Sequence, residues 1–226
     1  EETALLESLE GKKGWPRLKP PFPAVVGLFG CPTVVNNVET IAALPRIFEK
    51  GADWFSKLGA AKSGGTRLVT LSGSVIRPGT YEVSMDTSMR ELIYDKEYGQ
   101  GLPEGRNVKA VIPGGSSAPV LTPDELDVKL EFDAFKPLNS MAGSGGVIVI
   151  DDATCAVRSI WRVARFYAEE SCGQCTPCRE GQPWMARLIR KIEEGRGEMS
   201  DLDTLMNVAQ AIAPWPPIGL GNTICA

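Results

Sequence analysis

Ser171-Cys172-Gly173-Gln174-Cys175-Thr176-Pro177-Cys178-Arg179 is the stretch on which the reading of this chain turns. Its C-x2-C-x2-C spacing places three thiolates on one tight loop. A cubane cluster holds four irons and takes one thiolate on each, so three ligands are local and one is remote. Gly173 lets backbone approach the cluster, and N–H groups of a turn can donate to its sulfurs. Pro177 stiffens the loop, and Arg179 with the start of the following helix adds positive potential. The remaining cysteines are Cys31, Cys155 and Cys225. Cys155 opens a helical stretch and reads as a small buried hydrophobe. Cys225 follows Gly221-Asn222-Thr223-Ile224, a turn after a third helix, and an antiparallel bundle returns that turn to the loop between helices one and two. The expected ligands of a 4Fe–4S cluster are therefore Cys172, Cys175, Cys178 and Cys225. The competing readings are a four-cysteine zinc site and a redox pair or free thiols. Zinc sites of that kind usually bring two separated C-x2-C knuckles, which are absent here.

The 226 residues hold six cysteines and no histidine. That removes histidine-based zinc sites, Ser-His-Asp triads and Cys-His catalysis. Three cysteines within seven residues, in a chain long enough to build a core, argue against a disulfide scaffold and for a reducing, cytoplasm-facing compartment. The formal net charge of −4 leaves no basic surplus for nucleic acid. No run of about 18 apolar residues and no signal peptide is visible. The opening Glu1-Glu2-Thr3-Ala4 reads as the inside of a helix, and Ala226 directly follows a ligand cysteine. The expectation is a piece of a longer polypeptide.

Outward from the triplet, the flanks are helical. Val157, Ile160, Trp161, Ala164 and Tyr167 make one apolar stripe, and Trp184, Met185, Leu188, Ile189 and Ile192 a second. Leu202, Leu205, Val208 and Ile212 make a third, with Ser200 and Asp203 as a cap. The stripes read as core. Upstream, residues 66–150 change character. Strands are expected at Arg67–Leu71, Tyr81–Val83, Val108–Ile112, Val120–Leu121, Val128–Phe132 and Val147–Ile150, with a short helix at Ser88–Tyr94. This suggests a small β-grasp domain in an α+β chain. Pro113-Gly114-Gly115-Ser116-Ser117 lacks the Walker frame and reads as a turn. No G-x-G-x-x-G occurs, so a Rossmann site is unsupported. Residues 1–14 look helical up to Gly11, 15–33 form a proline-rich extended loop, and 34–50 are helical with Pro45 inside or at the end.

Glu170–Gly181 resembles the cluster loop of the flavin-bearing, NADH-oxidising subunit of respiratory complex I, and Thr223-Ile224-Cys225-Ala226 is similar to that family's fourth-ligand segment. Pro16-Arg17-Leu18-Lys19-Pro20-Pro21-Phe22-Pro23 resembles its loop at the nucleotide site, and Gly30 to Thr40 its flavin-side segment. The resemblance covers the chain in order. It implies three domains: 1–62, the C-terminal part of an FMN/NADH-binding domain; 63–150, a β-grasp domain of the soluble-ligand-binding type; and 151–226, a helical 4Fe–4S-binding domain. The family's glycine-rich flavin loop is expected upstream of Glu1.

The resemblance also implies site residues. Glu1 and Glu2 match a pair beside the flavin, with Glu2 near the nicotinamide as the catalytic candidate. On sequence alone both read as solvated helix-start charges. Lys19 and Phe22 match positions at the NADH, where a lysine meets phosphate and an aromatic face stacks on adenine. Phe22 reads equally well as an anchor for the proline loop. Val35, Asn36, Asn37 and Thr40 match positions at FMN, whereas spacing alone favours simple helix capping by asparagine. The implied activity is hydride transfer from NADH to FMN, followed by single-electron delivery to the cluster and on to quinone through adjacent iron–sulfur subunits. The expected location is the cytoplasmic or matrix face of an energy-transducing membrane. The alternatives are a diaphorase subunit of an NAD-linked hydrogenase or formate dehydrogenase and, for this stretch alone, a cluster-binding module without catalysis.

Overall fold

The computed structural model describes residues 2–212. In chain order these form α1 (Glu2–Leu9), α2 (Val38–Lys50), α3 (Ala52–Ser56), β1 (Gly59–Ala60), β2 (Ser63–Gly64), β3 (Thr66–Gly73), β4 (Gly79–Ser84), α4 (Met89–Tyr94), β5 (Val108–Ile112), β6 (Gly146–Asp151), α5 (Ala156–Glu170), α6 (Thr176–Glu193) and α7 (Met199–Ile212). Short 3-10 turns lie at Leu28–Gly30, Pro123–Glu125 and Phe132–Leu138. The chain is a mixed α+β fold with an open sheet. Its contacts group residues 37–154 into one compact unit, and residues up to 36 with those from 155 onward into another. Residues 37–62 thus pack with the sheet, whereas the sequence reading joins them to 1–36.

In the first unit the sheet order is β4-β3-β6-β5. β3 and β4 form an antiparallel hairpin, β3 and β6 run parallel at the centre, and β5 is antiparallel to β6. The alternation of β3 decides its faces: Arg67, Val69 and Leu71 are buried, while Thr66, Leu68 and Thr70 are exposed. α4 covers the buried face with Met89, Leu92 and Ile93. It starts at a reciprocal box in which Ser88 Oγ accepts from Glu91 N (3.1 Å) and Ser88 N donates to Glu91 Oε2 (2.7 Å). Phe135, Leu121, Leu126 and Leu130 complete the core. Each such side chain removed from water contributes about 1.5–3 kcal/mol.

Two of the expected strands are not formed. Val120–Leu121 and Val128–Phe132 contribute only isolated bridges, Val111 with Leu121 and Ser88 with Lys129, and Phe132 already opens a 3-10 turn. Pro119 and Pro123 bracket the first segment and remove ladder donors. Leu121 and Leu130 fill the core from a wrapping loop instead, with Val128 packed against it, while Val120 and Phe132 stay exposed. The Gly-Gly-Ser-Ser segment is a turn, closed by Ala118 N to Gly115 O at 2.9 Å. α2 runs through Pro45 and stops at Gly51, which has φ +89.

In the second unit α5 packs on α6, and α6 on α7. The three expected stripes are only partly covered. α5 buries only Ala164, α6 buries Gly181 and Ile189, and α7 buries Asp201 and Val208. Gly181 marks a close approach of α6 to α7, since a Cβ there would sit 2.9 Å from Ile212 Cδ1. α7 starts at Met199, so Ser200 lies inside its first turn. The cap role falls to Asp201, which accepts from Glu198 N at 2.7 Å and pairs with Lys191 at 2.9 Å. Among the described residues, the remainder of this unit is α1 and the proline-rich loop after it. Gly11 lies just past the end of α1 with φ +76.

Candidate functional site

The cysteine loop is a corner between two helices. α5 ends at its C-cap Ser171, and α6 begins after its N-cap Cys175. Gly173, at φ +75, makes the reversal that an L side chain rarely adopts. Pro177 stands in the first turn of α6, where a missing N–H costs nothing. The first-turn N–H groups of α6 have no intrahelical partner and carry the positive end of an 18-residue helix. Cys172 is exposed, and Cys175 and Cys178 are half-buried.

Polar contacts fix the corner from inside. Ser171 Oγ accepts from Gly173 N at 3.2 Å and lies 3.4 Å from Cys178 Sγ. Arg179 Nη1 donates to the Gly173 carbonyl at 3.1 Å, and its Nε pairs with Glu180 at 2.9 Å. The charge of Arg179 is therefore shared between the loop backbone and a carboxylate. Gln174 Oε1 is buried and has no hydrogen-bond partner among the described residues.

This donor set suits an iron–sulfur cubane. It offers thiolates without imidazole, unpaired N–H groups and an orphaned amide close by. No three Cys, Asp or Glu side chains among the described residues converge as ligands of one metal ion. A cubane does not ask for that, since each sulfur binds a different iron. Cys225, the expected fourth ligand, lies outside the described residues. Of the other candidates, Cys31 is exposed in a loop, and Cys155, expected as a small buried hydrophobe, is instead exposed at the N-cap of α5.

The nucleotide-side candidates occupy the N-terminal segment. Glu1 lies outside the described residues. Glu2 opens α1, and its carboxylate forms an ion pair with Lys19. The hydrogen bond from Lys19 is the largest cause holding the Glu2 carboxyl below its ordinary value. The structure thus brings together two candidates 17 residues apart. Phe22 is 58% exposed, so it anchors no core. Its carbonyl instead accepts from Val25 N and Val26 N in a turn.

A residue to which the sequence reading gave no role of its own organises this segment. Arg17 donates through Nε to Glu7 (2.5 Å), through Nη2 to Glu10 (2.7 Å) and through Nη1 to the Gly27 carbonyl (2.9 Å). Its backbone N donates to the buried Thr3 Oγ1 at 3.0 Å. Glu10 also accepts from Phe29 N at 2.8 Å. Hydrogen bonds from Lys12, then Arg17, then the Phe29 backbone lower the Glu10 carboxyl to about 2. The Arg17 clamp was invisible because its partners lie on both sides of it in sequence.

On the flavin side, Val35 and Asn36 are exposed. Asn37 is the N-cap of α2, with Oδ1 accepting from Glu39 N at 2.7 Å. That is the capping geometry which spacing alone favours. Thr40 lies in the exposed first turn of α2.

These features suit an iron–sulfur-binding chain of α+β architecture, and comparison with known proteins points the same way. Residues 158–226 match the NADH-ubiquinone oxidoreductase-F iron-sulfur binding region. The whole chain is 52% identical to an F-type subunit of NADH-quinone oxidoreductase from Rhizobium meliloti, covering 52% of that protein. It is 50% identical to the F-type subunit of Streptomyces coelicolor, again over its whole length, and covers 48% of it. Among solved structures, NAD+-reducing NiFe-hydrogenase in the H2-reduced state superposes over 99% of this chain and 38% of its own. The TM-score is 0.85 at 37% identity. Along its whole length the chain is similar to F-type subunits of NADH-quinone oxidoreductase. It spans about half the length of the curated relatives it matches.

Proposed function

We propose that this chain is part of the electron-entry subunit of an NADH:quinone oxidoreductase. The carrying observation is the Cys172–Cys178 corner at the start of α6, within a chain half identical to F-type subunits along its whole length. When bound, FMN would supply two-electron hydride chemistry toward NADH, and a 4Fe–4S cluster would supply one-electron transfer.

The chain's own residues bind and orient. Cys172, Cys175 and Cys178 supply three thiolates, and Cys225 supplies the fourth. Lys19 meets a phosphate of NADH, and Phe22, exposed on its turn, offers a face to adenine. Glu2, kept ionised by Lys19, stands at the nicotinamide side. Val35, Asn36, Asn37 and Thr40 line the flavin. Residues 1–62 contribute to an FMN/NADH-binding domain. The order β4-β3-β6-β5, with parallel central strands and one crossing helix, supports a β-grasp reading for 63–150. The partners are adjacent iron–sulfur subunits, and the subunit sits peripherally on the cytoplasmic or matrix face of the membrane. No helix among the described residues is long and apolar enough to cross one.

The ligand set is tested by iron and acid-labile sulfide content. Cys225→Ser loses the cluster, while Cys31→Ser keeps four irons per chain. The reverse pattern, or zinc in an anaerobic preparation, overturns the assignment. The 226-residue chain alone is expected to hold a cluster but to oxidise NADH poorly with ferricyanide and added FMN.

A second reading rests on the 0.85 superposition on the NAD+-reducing hydrogenase. On that reading the same electron path serves a diaphorase subunit feeding a hydrogenase. The identity of the neighbouring genes separates the two.

A further inference from the structure

We propose that Ser171 is a positioning residue of the cluster loop, whose hydroxyl donates a hydrogen bond to the Cys178 sulfur and so raises the reduction potential of the cluster. This rests on the assignment of Cys178 as a cluster ligand.

The direction of the bond follows from a short count of protons. Ser171 Oγ lies 3.4 Å from Cys178 Sγ, a distance that suits an O–H···S bond and leaves the donor open. The same oxygen already accepts the Gly173 N–H at 3.2 Å. One lone pair is thus occupied, and the N–H polarises the hydroxyl so that its proton is the better donor. A thiolate bound to iron has no proton to give and can only accept. With Cys178 as a ligand, the serine must be the donor.

The backbone makes this an arranged contact. Ser171 caps the C-terminus of α5, at φ −56 and ψ 129, while Cys178 is in the first turn of α6. Gly173 bends the chain between them and at the same time presents its N–H to Ser171. Arg179 ties the Gly173 carbonyl from the other side at 3.1 Å, which fixes the peptide that carries the reversal. Ser171 is half-buried, so water competes for its proton less than at an open surface.

The physical consequence concerns electrons more than stability. Reduction adds one negative charge to the cluster and its sulfurs. A donor aimed at a ligand sulfur favours the reduced form, and hydrogen bonding to the sulfurs is one of the levers that set such potentials. Ser171 therefore helps the cluster to accept an electron.

The test uses the full-length subunit assembled with its iron–sulfur partner subunits. Ser171→Ala and Ser171→Thr are compared with wild type by iron and sulfide content and by a redox titration followed by electron paramagnetic resonance. Ser171→Ala is expected to keep four irons and to shift the midpoint to a more negative value. The shift is about tenfold in the oxidised-to-reduced ratio at a fixed poise, ~59 mV for one electron. Ser171→Thr, which keeps the hydroxyl, restores the wild-type potential. Proton hyperfine spectra of the reduced wild type in H2O and D2O supply a readout that needs no variant. They should show an exchangeable proton near a ligand sulfur that Ser171→Ala lacks. An unchanged potential in a four-iron Ser171→Ala protein overturns the inference. If Ser171→Ala loses its iron, absence of that exchangeable proton from the wild type overturns it, and its presence supports it. A wild type without a four-iron cluster overturns the proposed function and this inference with it.

Discussion

The sheet unit and the helical unit are built on different principles. In residues 37–154 a continuous apolar core runs from Val69 and Leu71 through Leu92 and Ile93 to Phe135 and Val149. Among the described residues of the other unit, Leu6, Pro16, Ala164, Ile189 and Val208 are the only buried apolar side chains. Trp184 of α6 stays 47% exposed, and Met199 at the head of α7 79%. The sheet unit draws its stability from area removed from water. The described part of the helical unit draws less from that source, and on the proposed function it depends more on polar ties and on the cluster its cysteines would hold. Ligand binding that orders a site is folding energy in the strict sense, because the unfolded chain has no such site.

The contrast breaks most easily at the metal. Cys175→Ser is expected to lose the cluster and most of the ordered structure of α5 to α7. Iron content and the thermal transition followed by circular dichroism check this. Retention of the wild-type transition without iron would mean that the helices need no cluster. A smaller effect is expected from the opposite kind of change. Phe135→Ala removes a fully buried ring and should cost about 3–5 kcal/mol in denaturant unfolding, while iron content stays at four. Loss of less than about 1 kcal/mol would show that the sheet core collapses around the gap.

The smallest effect sharpens the polar side of the comparison. Hydrogen bonds from Lys12, then Arg17, then the Phe29 backbone hold the Glu10 carboxyl down to about 2, against an ordinary value of 4.5. A depressed carboxylate stabilises fully above its unfolded value and loses that contribution as pH falls through its folded one. The Arg17 clamp should therefore hold at about pH 5 and release progressively between about 4.5 and 2. Limited proteolysis of the 15–33 loop with an acid protease reads the release. Glu10→Gln should leave the loop equally cleavable across that range.

Much of this division was legible beforehand, and the rest was hidden for physical reasons. The alternation of Arg67–Leu71 and the run Val108–Ile112 predict strands because side chains change face at every residue. Ser88 with Glu91 marks a helix start, and Gly51 a stop, through local hydrogen bonds and φ preference. Val128–Phe132 misled because apolar residues in a wrapping loop bury as well as those in a strand. The stripes of α5 and α6 give a correct helical period, yet period alone does not say what covers the face. At the site, the cysteine spacing was plain, while Ser171 and Arg17 act through partners that only the folded geometry brings near.

The ion pair between Glu2 and Lys19 has a consequence for any negatively charged visitor. Lys19 already holds an internal surrogate for phosphate, a carboxylate from its own chain. An ammonium carries three protons, so such a visitor can share Lys19 with Glu2, at the cost of bringing two negative charges together. The charge on such a visitor and the charge on Glu2 are therefore linked through one cation.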